Sequence, residues 1–75
     1  MNAREWIDAF ATRLGVDPPT AEEWSALLDL AGVAAHASER VAAPVSCWVC
    51  ARAGATTGAT VSDALDAARA VGEDG

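Results

Sequence analysis

The residues with most scope for chemistry lie between positions 29 and 50. Cys47-Trp48-Val49-Cys50 is a C-x-x-C. Placed in the first turns of a helix, such a pair can have a thiol pKa lowered by the local dipole, the requirement for thiol–disulfide exchange. As half of a four-ligand set it can hold zinc. A redox pair of the thioredoxin type stands beside a strand in a mixed α/β fold, and no strand-like alternation occurs here. Zinc usually takes four ligands, and this chain offers one cysteine pair and a lone His36, so two chains would have to combine. The same two cysteines also read as small core residues, the commonest place for free cysteine.

Asp29, His36, Glu39 and Arg40 form a second constellation. Positions 29 and 36 are two helical turns apart and share a face, with 39 and 40 one turn further along. If one helix carries all four, they make a polar surface suited to binding a partner. Taken alone, the same residues describe a solvated helix end with an internal ion pair and a cation favoured by the helix dipole.

No nucleophile, base and orienting acid fall into a catalytic arrangement. The Gly54-Ala55-Thr56-Thr57-Gly58 stretch lacks the lysine and the preceding strand of a phosphate-binding loop, and reads as a linker. The expectation is a chain that is not an enzyme and carries no cofactor.

Four helical segments must position these residues. Ala3, Trp6, Ile7, Phe10, Ala11 and Leu14 follow the spacing of one helix face, with Asn2 as N-cap and Gly15 as left-handed C-cap, predicting a helix over about 3–14. Thr20 and Glu23 have capping-box spacing and open a helix over about 20–40. Its expected buried stripe is Trp24, Leu27, Leu28, Ala31 and Ala35, with small residues around Gly32 open to close approach by another helix. Pro44 suits the first turn of a third helix over about 44–53, with Val45, Trp48, Val49 and Arg52 on one side and Gly54 as its stop. Thr60 and Asp63 repeat the capping-box spacing before a fourth helix over about 61–71, closed by Gly72. The tail from Glu73 to Gly75 is expected to fray. The predicted fold class is all-α: a single domain over 1–75, a compact bundle of about four short helices.

Composition limits the core and the partners. The 75 residues are 52% hydrophobic, but 19 of them are alanine, which buries little area. A single core of this size seldom contributes more than about 3 to 5 kcal/mol, so a partner or self-association as a homo-oligomer is a natural supplement. Eleven acidic residues against five arginines and no lysine give a formal charge of −6. Without a basic stripe, nucleic acid and anionic membrane are poor partners, and a basic protein surface suits the chain better. The start carries charges of both signs and no apolar run approaches a membrane span, so the expected location is cytoplasmic. The three tryptophans are expected as core anchors, and one left exposed would mark a binding patch.

Leu27-Leu28-Asp29-Leu30-Ala31, then Ala35-His36, Glu39-Arg40 and Ala42-Ala43-Pro44, carry a resemblance. Over most of its length the chain resembles a small bacterial helical domain of unknown function found alone or behind nucleotidyltransferases of the molybdenum cofactor guanylyltransferase type. Val41 stands where that pattern has a proline, and Cys47 and Cys50 lie outside the pattern. The resemblance implies a non-catalytic accessory role beside molybdopterin guanine dinucleotide biosynthesis or delivery, with a nucleotidyltransferase or a molybdoenzyme as protein partner. Guanylyl transfer itself requires a larger mononucleotide-binding domain than 75 residues can supply.

Overall fold

A computed structural model describes residues 1–74, with side chains through Val71. Four helices follow one another: α1 (Ala3–Leu14), α2 (Ala21–Ala37), α3 (Ala42–Thr57) and α4 (Val61–Asp74). No strand occurs among the described residues, as the all-α reading expects.

Local chemistry accounts for most of the boundaries. The Asn2 side chain accepts from the Glu5 N–H at 2.8 Å while Glu5 Oε1 accepts from the Asn2 N–H at 3.1 Å, a reciprocal cap. Thr20 with Glu23, and Thr60 with Asp63, repeat it at α2 and α4. Gly15, at φ 75°, ends α1. Its N–H bonds the Thr12 carbonyl and the Val16 N–H bonds that of Ala11, the pair of bonds that defines a Schellman ending.

The two ends of α3 depart from the sequence reading. The N–H groups of Ala42 and Ala43 bond the carbonyls of Glu39 and Arg40 at 2.9 and 3.1 Å, so α3 starts two residues before Pro44. Pro44 still lies within the first turn, where a missing N–H costs nothing. At the other end Gly54 does not stop the helix. Thr56 and Thr57 donate their hydroxyls to the carbonyls of Arg52 and Ala53, both at 2.8 Å, and the helix continues to Gly58, whose φ of 76° only glycine takes without strain. The expected 54–58 linker is therefore mostly helix. Gly72 likewise fails to end α4, and Gly75 lies outside the described residues.

The core sits where α2 packs against both α3 and α4. Leu30, Cys50 and Leu65, one from each of these helices, are its most buried members, with Leu27, Val33, Val61, Ala64 and Ala68 around them. The expected α2 stripe holds at Trp24, Leu27, Ala31 and Ala35, all half-buried, but fails at one member and misses another: Leu28 is 63% exposed, while Leu30 is 3% exposed. Gly32 is not a point of close helix approach either, because a Cβ added there would meet nothing within 4 Å.

α1 stands apart. Among the described residues, none of its Cα atoms comes within 8 Å of a Cα in another helix. Side chains hold it: Ala3 and Ile7 line a shallow hollow with Pro19, Trp24, Leu27 and Leu28, and the Arg4 guanidinium lies over the Trp24 ring. The radius of gyration, 12.9 Å, exceeds the roughly 11 Å of a compact chain this long, consistent with a peripheral first helix.

Candidate partner-binding surfaces

α3 is positioned by its small residues. Cys50 is buried, and Ala43, Ser46, Cys47 and Ala53 on the same side are half-buried. The larger residues therefore point outward. Val41, just before the helix, and Val45, Trp48 and Val49 within it are 67, 61, 62 and 55% exposed. Val41, Val45, Trp48 and Arg52 recur at helical spacing and make one solvent-facing stripe. The guanidinium carbon of Arg52 stands 5.6 Å from the Trp48 ring centroid, within cation–π range. Val49 joins this stripe to a groove of about 320 Å³ between α3 and α4, floored by Leu30 and Cys50 and walled by alanines and Val71. The one hydroxyl there, that of Ser46, is spent on the Ala43 carbonyl at 2.7 Å. Among the described residues this lining is almost wholly apolar, which suits apolar side chains better than a polar metabolite.

A second apolar surface lies on α1. Trp6 and Phe10 stack with centroids 5.1 Å apart and planes tilted by 30°, and are 54 and 50% exposed. Two of the three tryptophans are thus surface residues. Only Trp24 is half-buried, beneath Arg4.

The four polar residues singled out in the sequence do not share a helix. Asp29 and His36 stand on the solvent side of α2, both exposed. The helix ends at Ala37, and Ser38 leaves it at φ −139°, ψ −103°. Glu39 and Arg40 occupy the turn into α3, exposed, with their carbonyls serving α3. The helical register that would have placed them above His36 is broken. They lie instead at the head of the Val41–Arg52 stripe.

The cysteines are free thiols, Cys47 half-buried and Cys50 buried. Because α3 begins at Ala42, they fall in its second and third turns, beyond the first turn where the dipole acts. Burial pushes the Cys50 thiol above its ordinary value, and Cys47 and the Glu23 carboxylate push in the same direction. A thiol held neutral is a poor nucleophile. Among the described residues, no three His, Cys, Asp or Glu side chains gather as a metal site.

The family model described as a domain of unknown function (DUF6457) matches residues 1–74. The chain belongs to that family. No curated protein and no solved structure matches it. The DUF6457 description assigns no reaction, and its match spans all four helices, so both apolar surfaces fall within the family domain. No described helix is long and apolar enough to cross a membrane.

The α3 stripe was legible in part, since Val45, Trp48, Val49 and Arg52 fall on one side by spacing alone. Nothing in the sequence said that this side faces solvent, because the opposite side, with Ala43, Cys47, Cys50 and Ala53, is apolar too.

Proposed function

We propose that this chain is a non-catalytic docking module whose α3 stripe binds a protein partner. The observation that carries the reading is Trp48, 62% exposed beside Arg52 on a helix whose other side is packed in the core. Tryptophan and arginine are the residues most often responsible for binding energy at protein interfaces. The groove between α3 and α4 extends the stripe. Glu39 and Arg40 add charges at its head, and Asp29 and His36 extend the contact along α2 for a large partner.

The resemblance at Leu27–Ala31, Ala35-His36, Glu39-Arg40 and Ala42–Pro44 supports a finer version. In it the partner is a nucleotidyltransferase of the molybdenum cofactor guanylyltransferase type, or the molybdoenzyme that receives the cofactor. The net charge of −6 favours a basic surface on that partner over direct capture of an anionic cofactor.

Calorimetric titration of the chain into each candidate partner tests both levels. Trp48→Ala is expected to weaken binding roughly 30-fold, the equivalent of an interface residue contributing about 2 kcal/mol. Arg40→Ala is expected to weaken it less, and neither variant should shift the thermal unfolding midpoint. Binding by Trp48→Ala at full affinity would remove the stripe from the site. If neither candidate binds the wild-type chain, the molybdenum connection is lost.

A further inference from the structure

The exposed face of α1 has its own two-ended pattern. Met1, Trp6, Phe10 and Arg13 surround a shallow hollow of about 260 Å³ with Ala9 in it. Glu5 lies one turn before Ala9 and Arg13 one turn after it. At 100° per residue, these two charges fall about 40° to either side of the Ala9 direction. An acid at one end, a base at the other and an aromatic pair between them make a face that is complementary to itself when turned end for end.

We propose that α1 is a self-association face, on which a second copy of this chain packs its own α1 antiparallel across a two-fold axis at Ala9. In that register residue i of one copy stands level with residue 18 − i of the other, so each Arg13 meets the other copy's Glu5. Trp6 and Phe10 lie on the same flank of the seam, and the two-fold brings each Trp6 against the other copy's Phe10. Ala9 at the centre lets the backbones approach, and the antiparallel arrangement also opposes the two helix dipoles favourably. Glu5 Oε1 already accepts from the Asn2 N–H, but an ionised carboxylate has lone pairs left for a guanidinium.

The aromatic surface is sizeable. Trp6 and Phe10 leave about 200 Å² of ring uncovered in each copy, and two copies together supply about a quarter of the ~1,600 Å² that a standard interface buries. The peripheral placement of α1, with no Cα of another helix within 8 Å of its own among the described residues, leaves that face open. This surface is separate from the α3 stripe, so dimerisation and partner binding can fail independently.

Sedimentation velocity of the full chain over a range of concentrations is the test. The wild type is expected to pass from monomer to dimer, and Phe10→Glu to lower the association constant at least 30-fold with an unchanged helical circular dichroism spectrum. A charge-reversal pair keeps the proposal testable if Phe10→Glu unfolds the domain. Arg13→Glu and Glu5→Arg should each lower self-association by about 10-fold, by placing like charges level across the seam. Mixing the two variants should restore the dimer, because each then offers the opposite charge at both ends. A wild-type chain that stays monomeric at every concentration would overturn the proposal. So would a dimer indifferent to these changes, or a mixture no more associated than its components.

Discussion

The guanidinium carbon of Arg4 sits 4.6 Å from the centroid of the Trp24 ring, joining the first turn of α1 to the first turn of α2. Among the described residues no Cα of α1 comes within 8 Å of a Cα in another helix, so this stack, the apolar side chains around Ile7 and Pro19 and the buried Ala11 are what tie α1 down. An exposed cation–π contact contributes about 0.5 to 1 kcal/mol. Arg4→Ala is therefore expected to destabilise the domain by no more than that in urea unfolding. Hydrogen exchange should reveal the larger consequence: faster exchange across α1, with the amides of Leu30 and Leu65 unchanged. Uniform acceleration through all four helices would mean that α1 is integral to the cooperative core.

Two glycines should respond to alanine in opposite senses. Gly32 is inside α2 with open space where a Cβ would go, so Gly32→Ala is expected to stabilise the protein by up to about 1 kcal/mol through helix propensity. Gly58 holds φ 76° to end α3, and Gly58→Ala should cost about 1 to 2 kcal/mol for the left-handed conformation. Urea midpoints of the two variants read the difference directly. A destabilised Gly32→Ala would show that something packs on that face, as when a partner or second copy lies there.

The thiols offer a prediction in pH. Cys50 is raised above its ordinary value chiefly by burial, so the folded chain holds its proton more tightly than the unfolded chain does. The associated stability is fully present below the unfolded thiol value of about 8.5 and is lost as pH rises through the folded value. Urea midpoints of the wild type should therefore decline above about pH 8.5, and Cys50→Ala should flatten that decline. Cys47→Ala should largely retain it, because burial, not its neighbour, is the main cause. In the native protein at neutral pH, a thiol reagent is expected to modify Cys47 well before Cys50. Fast native labelling of Cys50 would reopen a redox role for the C-x-x-C.

How far the sequence reached differs by element. The caps at Asn2, Thr20, Thr60 and Gly15 were legible because capping is a contract between residues three or four apart, and no distant part of the chain is needed to complete it. The ends of α2 and α3 were not. Whether the carbonyls of Glu39 and Arg40 extend α2 or begin α3 depends on where the chain must turn for Leu30 and Cys50 to meet, a long-range condition. Gly54 looked like a stop, yet the helix runs past it to Gly58, which takes the left-handed terminating conformation that Gly54 does not.

By itself, the sequence determined an acidic, alanine-rich, four-helix chain, since charge, propensity and capping are local properties. Tertiary structure alone decided which apolar residues are spare. α3 carries apolar residues on both sides, and a helix of that kind can bury either one. Packing chose the side with Ala43, Cys47, Cys50 and Ala53, because small residues let α2 come close, and so left Val45, Trp48 and Arg52 facing water. α1, buried at Ala11, likewise kept Trp6 and Phe10 outside, and these leftover faces are where binding is proposed to occur.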